Sequence, residues 1–482
     1  IVFIHKRNNM NEETSPHYQS DDEGIGPFLF EKNEDFLEFK SIDIQQEHAS
    51  FIYSFCGVVD LSCTMIFPIE HTSNPIDLKN ILLSIGMCIL PWYWMGFACS
   101  KIKVSAGYLS NDQLRFWQEF YIDVLAEFYY INNLDSSHLV QVESSFDGSP
   151  SDHKLLALPT KPNPRVLVPL GGGKDSIVVH ELLKQCNTQL EQCWMYVGDG
   201  YNEFKEHWRL GAIVRMTDIP VLQVAHEFNY QAFDRVRFTS LTPCGHPWAA
   251  LVAFDSVLMA YLGDFNYIAV GNERSANDGN GVRHFDREVN HQYDKSFDFE
   301  RKANAYISEY LVKEVHYFSA LQHLWELQIT KIFCQTPQYL PIFSSCNEMG
   351  SSSRWCAKCE KCCFVFLMVS AFVEPPMAWS IFGNNLFEEK GLLKVFKSLC
   401  QSGEKSFKPF ECIGTAEEVK AAVILARKKY KREGLPADQY SPVILENLFQ
   451  LVSKNCHENN GLVESLLSDT NHHHLLPNWL ID

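Results

Sequence analysis

Five cysteines crowd one short stretch, SCNEMGSSSRWCAKCEKCC, as Cys346, Cys356, Cys359, Cys362 and Cys363. Two overlapping C-x-x-C steps wrap thiolates around one centre, and Cys346 can close a tetrahedral four-cysteine zinc site. Four thiolates leave no open coordination position, so such a zinc is structural. Lys358 and Lys361 offset its negative charge. A redox C-x-x-C pair or unligated core cysteines share this spacing, and Cys363 is either a packing residue or an alternative ligand.

A second stretch carries anion chemistry. Gly171, Gly172, Gly173, Lys174, Asp175 and Ser176 follow the apolar run Arg165–Leu170 and lead into IVVHELLK. Strand, glycine loop and helix form a cradle in which loop amides and a helix N-terminus converge on an anion. The loop is neither a Walker A sequence nor a dinucleotide G-x-G-x-x-G. It resembles the S-G-G-x-D-S pyrophosphate loop of the ATP pyrophosphatases, with Gly171 in place of the first serine. The resemblance implies that the loop holds leaving pyrophosphate and that Asp175 helps place Mg²⁺.

A third polar concentration, GNERSANDGN (Gly271–Asn280), follows the apolar Tyr267–Val270. It sets Asn272, Glu273, Arg274, Ser275, Asn277 and Asp278 at a strand end, where ligands bind in open α/β sheets. The following HFDREVNHQYDKSFDFE adds His284, Asp286, Arg287, His291, Tyr293 and Lys295, which include acids, bases and binders of phosphate or carboxylate. His246, in CGHP, precedes a helix opened by Pro247 and faces either the ligand or the core.

The elements that must position these groups follow from hydrophobic periodicity. Candidate strands at Val166–Leu170, Cys193–Val197, Val221–His226 and Tyr267–Gly271 alternate with helical patterns, notably His246–Leu262. This predicts an α/β fold with a doubly wound parallel sheet across 166–375. Ahead of it, 26–135 reads as an α+β N-terminal domain. It has alternating strands in Phe36–Phe55, a helix over Ile76–Leu90, a strand at Lys101–Tyr108 and a helix capped by Ser110 and Gln113 that runs to about Asn132. Residues 136–165 read as a linker, 1–25 as a flexible N-terminus and 376–482 as a helical region. Its clearest helices are Leu392–Leu399, Thr415–Lys431 and Pro442–Ser453. His472–His474 read as a solvated tract. The uncharged Ile81–Ser100 has the length of a membrane span, but Pro91 predicts a buried helix that stops there, so no membrane association is expected.

The chain of 482 residues, 46% hydrophobic and 13% aromatic, supports two or three globular domains. Its net charge of −18 argues against nonspecific nucleic-acid binding. Sixteen cysteines without a secretory-type leader point to a reducing, cytoplasmic setting. The first residue is Ile1, and Met10 is a candidate start.

The motifs together carry a wider resemblance. VPLGGGKDS, GNERSAN, VNHQY with Lys295 and SF beyond it, the cysteine stretch, KPFECIGT (Lys408–Thr415), LPWYW and KIKVSAGYL resemble the UDP-N-acetyl-α-D-muramoyl-L-alanyl-L-glutamate epimerases of peptidoglycan synthesis. The cysteine arrangement also resembles the zinc tail of 7-cyano-7-deazaguanine synthases. These resemblances imply an adenine nucleotide α-hydrolase-like core, with ATP, Mg²⁺ and structural Zn²⁺. The substrate implied is a UDP-muramoyl dipeptide whose terminal L-glutamate is adenylated and then inverted. His246, Glu273, His284 and His291 are the acid–base candidates. Asn272, Arg274 and Lys295 are expected to join the loop in holding nucleotide or substrate. An adenylating amide ligase, a nitrile-forming synthase, a tRNA-modifying protein and a nucleotide sensor are the competing readings.

Overall fold

A computed structural model describes residues 35–45, 47–67, 75–148, 154–198, 200, 207–229, 241–348, 355–400, 408–432, 442–453 and 459–481. The expectations for residues 1–25 and for Met10 lie outside these.

Ten strands make one mixed sheet. They are β1 (Phe36–Ile44), β2 (His48–Phe55), β3 (Val59–Ile66), β4 (Lys101–Val104), β5 (Gln141–Ser144), β6 (Arg165–Pro169), β7 (Glu191–Gly198), β8 (Val221–Phe228), β9 (Tyr267–Val270) and, after a small β10–β11 hairpin (Arg283–His284, Arg287–Glu288), β12 (His316–Ser319). Their order is β12-β9-β6-β7-β8-β3-β2-β1-β4-β5. The five strands from β12 to β8 are parallel, as expected for buried apolar runs crossed by helices.

The fully parallel sheet is corrected at β8. Cys63–Ile66 of β3 pair antiparallel with Phe228–Ala225, so the open edge of the parallel core is extended by the N-terminal strands. The segment expected as a linker contributes β5, parallel to β4 at the far edge. The strands β3 and β12 escaped the sequence reading. β12 is four residues long, and the solvent-side residues of β3 dilute its apolar signal.

Strand order reverses at β6. From it the chain runs outward through β7 and β8 on one side and through β9 and β12 on the other. Such a reversal opens a crevice at the carboxyl ends of the strands. The glycine loop leaves β6 at that point, and GNERSAN leaves the neighbouring β9.

The Lys79–Phe97 helix continues through Pro91 instead of stopping there. Proline has no N–H to give the carbonyl four residues back. That carbonyl, on Met87, accepts instead from the Tyr121 hydroxyl at 2.8 Å. The helix is apolar and long enough to cross a membrane, but 94% of its most apolar window is buried within the protein. The helix capped by Ser110 and Gln113 breaks at Leu125 into Asn111–Val124 and Ala126–Ile131. Beyond 375 the described elements are helical, with Glu418 capping Ala416–Arg432 through Thr415 as expected.

Candidate active site and metal centre

The glycine loop is shaped by contacts a side chain would not permit. Gly172 has φ +79°, a left-handed conformation that glycine adopts freely. Its carbonyl accepts from the Ser344 amide at 2.9 Å. A Cβ on Gly271 would lie 3.1 Å from the Asp175 Cβ, so the end of β9 can approach the first turn of the loop helix closely. Gly173 is the N-cap of Lys174–Gln185 and supplies no side-chain cap, so the first-turn amides have no side-chain partner from the cap residue.

Lys174 is buried and bridges two carboxylates, Asp175 at 2.5 Å and Glu326 at 2.7 Å. Burial alone would lower its ammonium, but Asp175, Glu326 and Glu273 hold it well above the usual lysine value. Burial pushes the Glu326 carboxyl up, against the pull of Lys174. Asp175 and Glu326 contact the ammonium directly, and Glu273 adds to the negative charge acting on it. Asp175, part-exposed at the head of the loop helix, offers the kind of carboxylate oxygen that a hard divalent cation takes alongside phosphate oxygens.

A second cluster lies on the other flank of Glu273. The Lys295 Nζ is 3.1 Å from the Cys412 Sγ. His291 Nδ1 is 2.5 Å from Glu127 Oε2, and Glu127 holds its imidazole well above the usual histidine value despite burial. Lys361 donates to the Cys412 carbonyl. The half-buried Lys408 donates weakly to the Ser275 and Asp278 carbonyls, and desolvation lowers its ammonium. Glu273 raises both Lys174 and Lys295, so it stands electrostatically between the clusters.

The remaining site candidates are spread more widely. Arg274 stacks on Trp325 at 4.1 Å and pairs with Asp469 at 2.8 Å. It lines an open cleft of about 390 Å³ with Asp278, Asp298, Arg301 and Trp325, and Lys174, Glu326, Lys295, His291 and Cys412 are not among the lining residues. Asn272 is buried, its amide donating to the Ser319 hydroxyl. Ser176 donates to the Gly173 carbonyl. His284 sits on the β10–β11 hairpin with Nε2 donating to the Leu134 carbonyl at 2.6 Å. The His246 ring nitrogens are buried beside Trp92. Burial first and His226 second bring its pKa down to about 3, so the ring is neutral.

Cys346, Cys356, Cys359 and Cys362 converge, each sulfur within 4.8 Å of the others. Cys356 and Cys362 are 3.6 Å apart, against the roughly 3.8 Å between thiolates around a tetrahedral zinc with bonds near 2.3 Å. The Cys356, Cys359 and Cys362 amides each point at the preceding ligand sulfur at 3.4 Å, which stabilises thiolate charge. The donor set therefore fits zinc. Cys363 lies outside this group, fully buried in the core, so it packs rather than ligates.

Glu326, Cys412, Glu127 and Lys408 were not singled out in the sequence. Cys412 and Lys408 lie within KPFECIGT, whose motif character was the available signal. Glu326 and Glu127 sit in amphipathic helices and carried none.

The chain matches two domain models, the MurL N-terminal domain over residues 31–320 and the MurL C-terminal domain over 342–450. A curated UDP-N-acetyl-alpha-D-muramoyl-L-alanyl-L-glutamate epimerase of Xanthomonas oryzae pv. oryzae is 26% identical over 408 residues, covering 82% of this chain and 86% of the relative. Similarly named proteins of a Micromonospora and of Salinispora tropica are 31% and 30% identical. Those matches cover 56% and 54% of this chain, and 58% and 55% of the two relatives. No solved structure matches. With the two domain models together spanning most of its length, the chain belongs to the MurL family of epimerases.

Proposed function

We propose that this chain inverts the terminal L-glutamate of UDP-MurNAc-L-Ala-L-Glu, using ATP to form an acyl-adenylate and releasing AMP and pyrophosphate. The observation that carries the reading is the match to an epimerase of that name across four-fifths of both chains. The glycine loop at the strand-order reversal supports the nucleotide half of it.

The chemistry requires activation first. Removing the α-proton of a free carboxylate would set two negative charges side by side. The acyl-adenylate is neutral at that carbon, and its enolate is far easier to stabilise. Gly171–Ser176 and the helix N-terminus would hold the phosphates, with Lys174 fixed by Glu326 beneath them. Mg²⁺, when bound near Asp175, would offset phosphate charge. One group then removes the Cα proton and a second returns one to the opposite face, with Glu273, His291 and His246 among the candidates. Lys295 supplies positive charge for the developing enolate. Hydrolysis frees AMP and the inverted substrate.

The test incubates purified protein with Mg·ATP and the UDP-muramoyl dipeptide in heavy water, following AMP and the glutamate Cα. AMP release with D-glutamate and deuterium at Cα is expected. AMP release without exchange would identify an adenylating amide ligase, and no AMP release would end the reading.

A further inference from the structure

We infer that Cys412 is one of the two acid–base groups of this inversion: the sulfur, held against the Lys295 ammonium, exchanges a proton with the substrate Cα. The inference rests on the epimerase reading above.

The thiol is surrounded by groups that favour its thiolate. Lys295 Nζ is 3.1 Å away. His291 also favours the thiolate, and Glu127 holds its imidazole well above the usual histidine value. Lys361, from the Glu360–Ser370 helix, donates to the Cys412 carbonyl. Glu273, from the loop after β9, and Lys408, on the cysteine's own segment, complete the charged surroundings. Burial alone would raise the thiol. Lys295 first, then His291 and Lys361, bring it down to about 6. Structural cysteines elsewhere in the core, such as Cys88 and Cys244, are pushed up by burial.

The backbone is pinned on both sides of the sulfur. Asn280 Nδ2 donates to the Lys408 and Pro409 carbonyls at 3.0 and 3.1 Å. Gln292 donates to the Ile413 carbonyl at 3.2 Å, and Asn347 to Glu411 at 3.1 Å. Such fixing serves a group that must meet one atom of a bound substrate. Glu273 acts electrostatically on both Lys174 and Lys295, which couples the charge around the sulfur to that around the glycine loop. An adenylate reaching from the glycine loop to this second cluster would bring its acyl end to Lys295 and Cys412.

The step balances without a redox partner. The thiolate takes the Cα proton as an S–H bond, and the C–H pair moves into the acyl group as an enolate. A proton from a second group closes the opposite face. Exchange with water then restores both groups.

Cys412→Ser and Cys412→Ala are compared with wild type for ATP–pyrophosphate exchange, epimerisation and Cα deuterium uptake from each epimer. Expected are retained pyrophosphate exchange, epimerisation slowed about 10²–10⁴-fold, and loss of deuterium uptake from one epimer only. Epimerisation within a few-fold of wild type in both variants overturns the assignment, as does uniform loss of uptake from both epimers in variants that keep pyrophosphate exchange. If wild type takes up no deuterium, the epimerase reading has failed instead. The thiolate is then judged by ultraviolet titration of wild type against Cys412→Ser, where the difference absorbance should appear near pH 6. Its appearance only above pH 8 overturns the charged thiol. Lys295→Met should move the same transition upward.

Discussion

The Ser344 amide donates to the Gly172 carbonyl at 2.9 Å, joining the cysteine centre to the glycine loop. Ser344 stands two residues before Cys346, and a Cβ on Gly173 would meet Ser345 at 3.3 Å. From the same centre, Lys361 and Asn347 reach the segment around Cys412. The four-cysteine centre thus braces both clusters, and its closed donor set would leave a bound zinc no open position for chemistry.

Removing the metal should therefore damage nucleotide binding as well as stability. Cys359→Ser is expected to abolish stoichiometric zinc, lower the melting temperature and weaken ATP binding at least about tenfold, near 1.4 kcal/mol. Elemental analysis, thermal melts and calorimetric titration of ATP check this. A metal-free variant with unchanged ATP affinity would show that the brace is not needed.

Lys174 should be costly to neutralise. Lys174→Met leaves Glu326 and Asp175 without their buried counter-ion, beside Glu273. Breaking a buried pair from one side costs about 3–5 kcal/mol. Urea unfolding should show a loss of that size, partly recovered in Lys174→Met/Glu326→Gln. Equal instability in the double variant would mean that the uncompensated carboxylate is not the cause.

Four of the five parallel core strands were legible because they read as apolar runs, and the glycine loop because its residues are contiguous. The four zinc-type cysteines lie within 17 residues and could be grouped by spacing. Cys412 and Lys295 are 117 positions apart, and Glu326 and Lys174 are 152 apart, so only the folded chain brings them together. Pairing of β3 with β8 is likewise a property of two edges, and neither strand's own pattern contains it. Pro91 misled because the rule for helix interiors assumes that the freed carbonyl stays unpaired, and Tyr121 supplies the missing donor.

That last relationship predicts a stability cost. Tyr121→Phe keeps the ring in its fully buried place but leaves the Met87 carbonyl facing apolar surroundings. An unmet buried acceptor costs about 1–3 kcal/mol. Chemical denaturation should register this loss, with the denaturant slope unchanged. A loss below about 0.5 kcal/mol would mean that the helix finds another donor past Pro91.

Glu300 makes stability fall as pH rises. It is buried beneath β12, accepting from the Ser319 amide at 3.0 Å. Burial pushes its carboxyl up to about 7, with the Ser319 amide and Gln322 opposing. Below the unfolded value, near 4.3, both states are protonated and the group contributes nothing to pH dependence. Between there and about 7 the unfolded chain gives up its proton while the folded chain keeps it, so stability is lost through that window and the loss is complete above it. The full loss is at most about 4 kcal/mol, at 1.36 kcal/mol per pKa unit. Glu300→Gln retains an acceptor for Ser319 and has no proton to lose. Its melting temperature should match that of wild type near pH 4 and exceed it at pH 8. A variant less stable than wild type at pH 8 would show that the ionised carboxylate is favoured in the fold, reversing the sign.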